Sequence, residues 1–255
     1  DHLMAKIIGF SGKGGTGKTT IGALFLKGLI SYGEKGILLI DSDPNECLPA
    51  VLGIKDFVSI SDVLKDYKGH TMNPVKFSED FKSMLLMNEQ EKYDILVMGR
   101  GESEGCYCLI NHLLKSSFEN NVLTGGFSYG YVLMDCEAGI EHISRKTSTA
   151  IDDLIIITDA SKMGIDTIKR IKDVSSEVDS EVKNYYVVGN RIINQDIDER
   201  ITKLSEELDM EYLGSIPYDP IVEDFNFGEE SILTIPDSAP AYLKSKEILS
   251  KIISN

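Results

Sequence analysis

The stretch that most restricts what this chain can fold into is Lys6-Ile7-Ile8-Gly9-Phe10-Ser11-Gly12-Lys13-Gly14-Gly15-Thr16-Gly17-Lys18-Thr19-Thr20. The apolar run Ile7 to Phe10 reads as a strand, the glycines as a turn, and Ile21 to Leu26 as helix by its spacing. Gly12, Gly17, Lys18 and Thr19 hold the fixed positions of the Walker A pattern. Gly12, Gly14, Gly15 and Gly17 have no side chain to keep the backbone off a phosphate. The N–H groups from Gly12 through Lys13, Thr16, Lys18, Thr19 and Thr20 can therefore turn inward around its oxygens at a helix N-terminus. Lys18 is expected to reach the β and γ phosphates of ATP, or the β phosphate of ADP, and the Thr19 hydroxyl to ligand Mg²⁺.

Lys13 makes the loop more specific, because Lys-Gly-Gly-Thr-Gly-Lys-Thr carries a second lysine beside the same phosphate. This resembles the deviant Walker A loop of the MinD, ParA and nitrogenase iron protein class. The resemblance implies that Lys13 contacts the nucleotide of a facing subunit, so that ATP holds a homodimer together. A solvated loop lysine is the plainer alternative.

At 255 residues and 42% hydrophobic, the chain can bury a full core in one α/β domain. The 7 prolines and the lack of a low-complexity stretch leave little room for a linker. Residues 1–3 read as a remnant ahead of Met4, and 4–255 as the ATPase domain. The net charge of −15 argues against nonspecific nucleic-acid binding and against an anionic membrane surface. With no apolar run long enough to span a bilayer and no signal peptide, the expectation is a cytoplasmic protein. In that setting 4 cysteines read as metal ligands or buried thiols.

Ile37 to Ile40 reads as a strand buried on both faces, ending at Asp41-Ser42-Asp43. Carboxylates at that end of a parallel strand sit where such sheets bind ligands. By resemblance this is switch I, with Asp43 activating the attacking water and Asp41 supporting the phosphate-loop lysine. A turn and helix-cap pair is the alternative. Between residues 46 and 92, Leu48–Leu52 and Ile60–Leu64 suggest short helices, Gly69–Pro74 a loop and Met84–Met87 a strand. Ile95 to Met98 and Gly130 to Asp135 are further strands. Asp135 is placed for the Walker B role on Mg²⁺ and Gly139 for a switch II contact to the γ-phosphate, while alternation turns Cys136 away from Asp135.

Cys106 and Cys108 fall at the start of a helical pattern, where thiolates are favoured. Cys-x-Cys gives two sulfurs where a tetrahedral site takes four, and a twofold axis would bring the same pair from a second subunit. Two reduced thiols packed in a turn are the alternative. His112, one turn on, reads as a surface histidine rather than a further ligand. Gly105-Cys106-Tyr107-Cys108, then Asn111 and Leu113-Leu114, with Asp135 to His142 and Arg145, resemble the CooC-type ATPases. That resemblance implies Ni²⁺ or Zn²⁺ at Cys106 and Cys108, and a client nickel-iron-sulfur enzyme of the carbon monoxide dehydrogenase kind. Residues 55–92 match nothing in that group, and Cys136 stands where an apolar residue is expected.

The remainder reads as strand Leu154–Thr158, helix Lys162–Val178, strand Tyr185–Gly189, and helices Ile197–Leu208 and Tyr242–Ile253. The last lacks the basic face of a membrane anchor and is expected to dock on the domain. In the resembled class Asn190 binds the adenine edge, beside Arg191, and the Pro217 turn packs on the base. The whole is expected to be a single-domain α/β P-loop NTPase whose twisted, mostly parallel sheet has helices on both faces. Competing expectations are a MinD- or ParA-like positioning switch and an iron–sulfur electron-transfer ATPase like the nitrogenase iron protein.

Overall fold

Ile7 and Ile8 are neighbours in sequence that pack into different cores, and the same alternation organises the architecture around them. The computed structural model describes residues 5–33, 36–67, 73–99, 115–123, 127, 129–136, 151–177 and 182–254. Its strands are β1 (Lys6–Gly12), β2 (Ile37–Asp41), β3 (Asp94–Val97), β4 (Tyr131–Asp135), β5 (Ile151–Thr158), β6 (Val182–Asn190) and β7 (Glu211–Ile216). Among the described residues they form one 7-stranded sheet in the order β3-β2-β4-β1-β5-β6-β7, with each strand pairing parallel.

The helices that connect and cover the strands include α1 (Lys18–Ser31), α2 (Cys47–Val51), α3 (Ile60–Lys65), α4 (Pro74–Met87), α5 (Lys162–Glu177), α6 (Gln195–Glu207), α7 (Pro220–Phe227) and α8 (Pro240–Ile253). On one face Ile7, Leu38, Val132 and Leu154 meet Phe77 and Phe81 of α4 and Ile168 of α5. On the other, Ile8, Leu39, Leu133 and Ile155 meet Leu24 and Phe25 of α1 and Ile248 and Leu249 of α8. A sheet covered on both faces explains why its strands read as continuous apolar runs.

The Met84–Met87 strand expected from the sequence is instead the last turn of α4. Asn73 caps this helix, its Oδ1 accepting from the N–H groups of Val75 (2.9 Å) and Lys76 (3.3 Å), and Pro74 opens it. Phe77, Phe81, Met84 and Leu85 then repeat at helical spacing on the buried face. β7 and α7 were not expected from the sequence.

The C-terminal helix α8 buries Ala241, Tyr242, Ser245, Ile248, Leu249 and Ile252 beside α1, so its apolar face is already spent within the fold. Leu243, on the opposite side of the helix, is 52% exposed. No helix among the described residues is long and apolar enough to cross a membrane.

One buried carboxylate joins the two C-terminal helices. Asp219, 4% exposed, accepts the Ile221 N–H on Oδ1 and the Ala241 N–H on Oδ2, each at 3.0 Å, satisfying a donor at the start of α7 and another at the start of α8. Asp219→Ala is expected to cost about 2 kcal/mol, two backbone donors being left buried at once. A urea midpoint unmoved by that substitution would show the bonds to be dispensable.

Candidate functional site

β1 occupies the middle of the sheet, between β4 and β5, and the carboxyl ends of β1, β2 and β4 are in register there. Phe10 and Asp41 both stand opposite Asp135. Such an edge, at the point where the strand order changes direction, is where open parallel sheets bind ligands.

The loop leaving β1 turns on positive-φ glycines, Gly15 at φ 85° and Gly17 at φ 86°. Thr16 closes it from within, its Oγ1 donating to the Lys13 carbonyl at 2.8 Å. The Ile21 N–H bonds the Gly17 carbonyl at 3.0 Å and begins α1. Lys18 is folded inward, its Nζ 2.7 Å from Asp135 Oδ1, with side chains only 5% and 0% exposed. Lys13 is half-buried and makes no ion pair with another described residue. Gly14 is exposed, and Thr19 and Thr20 are half-buried on the first turn of α1.

Asp41 closes the carboxyl end of β2. Its carboxylate is turned onto the following backbone, accepting the Asp43 N–H on Oδ1 (2.9 Å) and the Leu48 N–H on Oδ2 (3.2 Å), while the lysine of the loop lies on Asp135. Burial pushes the Asp41 pKa up to about 7 against those two bonds, with Asp135 and Asp43 adding to the rise. Asp43 is also buried, 2% exposed, and its Oδ1 accepts the Asn45 N–H at 2.8 Å. Three buried carboxylates thus gather at the ends of β2 and β4, and one of them, Asp135, holds the Lys18 ammonium.

Mg²⁺ suits this donor set. Asp135 and Thr19 offer hard oxygens, and an ammonium already stands as the cation on Asp135. Cys136, next in sequence, turns the other way as alternation requires; it is buried, and burial, with the Asp135 charge, raises its thiol to about 12. That environment holds a thiol protonated rather than as a metal ligand. Cys47 is half-buried at the start of α2.

Beside Gly17 and Thr20 opens a cleft of about 170 Å³ between the ends of β6 and β7 and α7. Asn190, Arg191 and Pro217 line it, which brings the expected base-binding residues together next to the phosphate loop. Glu223, Asn226 and Phe227 of α7 line it too and were not expected. The signal that could have found them is Asp219-Pro220, a cap followed by proline at the first helical position. Asn190 does more than line the cleft, for its Nδ2 donates to the Thr16 carbonyl at 2.8 Å. Cys106, Cys108, His112 and Gly139 lie outside the described residues.

Residues 7–232 match the family CbiA, described as the CobQ/CobB/MinD/ParA nucleotide binding domain. An uncharacterized ATP-binding protein of Methanocaldococcus jannaschii is 35% identical, over 97% of this chain and 98% of its own length. The carbon monoxide dehydrogenase accessory protein CooC of Rhodospirillum rubrum is 26% identical, over 92% and 90%. The MinC:MinD cell division complex of Aquifex aeolicus superposes with a TM-score of 0.71 at 21% identity, covering 98% of this chain and 97% of that one. MinD of Pyrococcus horikoshii with Mg-ADP gives 0.67 at 20% identity, covering 98% and 96%.

Proposed function

Since the chain belongs to the CobQ/CobB/MinD/ParA nucleotide-binding family and is a P-loop ATPase, we propose that it couples ATP turnover to metal delivery as a metallochaperone. In this reading ATP closes a homodimer, with Lys13 reaching the nucleotide of the facing subunit. Cys106 and Cys108 of both subunits together hold Ni²⁺ or Zn²⁺ at the twofold axis, and hydrolysis reopens the pair to release the ion to a nickel-iron-sulfur client. The observation that carries the reading is the Cys-x-Cys pair in a chain alike over 92% of its length to a carbon monoxide dehydrogenase accessory protein.

Within each subunit Lys18 leaves Asp135 for the β and γ phosphates, which frees Asp135 to hold Mg²⁺ with Thr19. Mg²⁺ supplies charge neutralisation on the phosphate oxygens. Asp43 orients the attacking water and Gly139 offers its N–H to the γ-phosphate. Asn190, Arg191 and Pro217 enclose the base.

The Cys106→Ser, Cys108→Ser double variant is expected to keep nucleotide affinity and to lose the metal held at about one ion per dimer. Anaerobic metal analysis joined to sizing, with and without ATP, reads both quantities. Undiminished metal in the double variant rejects the site. The likeness of fold to MinD favours a second reading, a positioning switch; ATP-dependent cosedimentation with DNA or lipid would support it, although α8 has no free apolar face resembling an anchor.

A further inference from the structure

The Thr16 carbonyl is 174 residues away in sequence from the amide that binds it, and the surroundings are arranged so that this bond can form. Thr16 is 1% exposed and is tied twice: its hydroxyl donates back to Lys13 at 2.8 Å, and its carbonyl accepts from Asn190 Nδ2 at 2.8 Å. The next residue must be small. A methyl group at Gly17 would stand 2.3 Å from Asn190 Nδ2, at a φ of +86° that side chains rarely adopt.

Asn190 itself hangs from a rigid support. It is the last residue of β6, it pairs in register with Ile216 of β7, and the Arg191 N–H bonds the Ile216 carbonyl at 2.8 Å. The sheet therefore fixes where the amide sits, and the amide fixes where the loop peptide sits.

We propose that Asn190 is a positioning residue for phosphate binding, bracing the Thr16–Gly17 peptide from the end of the sheet. A trans peptide is planar, so its C=O and N–H point to opposite sides. Holding the Thr16 carbonyl against Asn190 aims the Gly17 N–H away from it, toward the side from which a phosphate approaches. Because the same side chain lines the cleft, occupancy of the cleft and the curve of the loop are linked through one amide. This role is separate from reading a base and predicts an effect on a ligand that has none.

Inorganic tripolyphosphate with Mg²⁺ is that ligand. Calorimetric titration of the full chain and of Asn190→Ala and Asn190→Asp, each verified as folded by its thermal midpoint without ligand, measures the brace directly. The expected result is a loss of tripolyphosphate affinity of about fivefold or more in both variants, with a midpoint lowered by no more than about 4 °C. A loss smaller than about fivefold in the folded variants overturns the proposal, whatever happens to ATP: Asn190 then serves the base alone, or only the packing at the end of β6.

Discussion

Lys18→Met is expected to abolish phosphate release, by about 10³-fold or more, and at the same time to destabilise the nucleotide-free protein by about 3–5 kcal/mol. Both effects come from one side chain with two partners in turn. With nucleotide bound, the ammonium offsets charge that develops on the transferred phosphate. Without it, the ammonium is the counter-ion of Asp135, which is 0% exposed and lies 2.7 Å away. Methionine keeps the length and packing of the side chain but leaves the carboxylate buried without its cation, beside Asp41 and Asp43, which are themselves buried. At Asp41 burial, with a smaller push from Asp135 and Asp43, already raises the pKa to about 7. In the variant the Asp135 carboxylate has lost its cation, so the deficit is expected to be largest where it is charged and to shrink on acidification, as protonation removes the unpaired charge. Pairing Lys18→Met with Asp135→Asn separates the roles. The double variant is expected to regain most of the lost stability in a urea titration and none of the hydrolysis, because the buried charge has gone and the catalytic one has not returned. A Lys18→Met protein as stable as the parent would mean that the buried pair contributes nothing net.

The phosphate loop and the strands at the centre of the sheet were legible because their signals are local. Glycine spacing dictates the loop, and a sheet covered on both faces leaves uninterrupted apolar runs such as Ile37–Ile40 and Leu154–Ile157. Met84 to Met87 was misread because a short apolar run carries no period of its own. Its helical identity comes from Asn73 and Pro74, at the far end of the helix, together with Phe77 and Phe81. β7 was missed for the opposite reason: Glu211-Tyr212-Leu213-Gly214-Ser215-Ile216 is a half-exposed edge strand with a glycine inside it, and pairing with β6 makes it a strand. At the site, residue types announced which groups would gather but not which would pair. That Lys18 takes Asp135 while Asp41 caps the next backbone turn depends on distances between β1, β2 and β4 that no sequence spacing encodes. The Asn190–Thr16 bond is the extreme case, since its partners stand 174 residues apart in sequence.

Gly12→Ala is expected to be the most damaging single methyl group in the loop, costing about 3 kcal/mol or more and removing nucleotide binding. Gly12 ends β1 at φ +155°, in register with Ile157 of β5, and a Cβ there would lie 2.3 Å from the Ile157 carbonyl oxygen. What it meets is backbone. Ile157 is 1% exposed and bonded into the sheet between β1 and β6, so the carbonyl cannot rotate aside as the tip of a side chain would. Relief requires either that β1 and β5 separate at their carboxyl ends or that the loop leaves β1 in another direction, and the second route carries the Thr16 and Gly17 peptides away from the phosphate position. Gly14 gives the comparison within the same loop: it is exposed, and a Cβ there meets nothing within 4 Å. Gly14→Ala is therefore expected to change stability by no more than about 0.5 kcal/mol. Urea midpoints of the two variants, read beside binding of a fluorescent ATP analogue to Gly12→Ala, measure the contrast. Equal midpoints would mean that the close approach of β1 to the Ile157 carbonyl relaxes at little cost, and that glycine is needed at position 12 for the ligand rather than for the sheet.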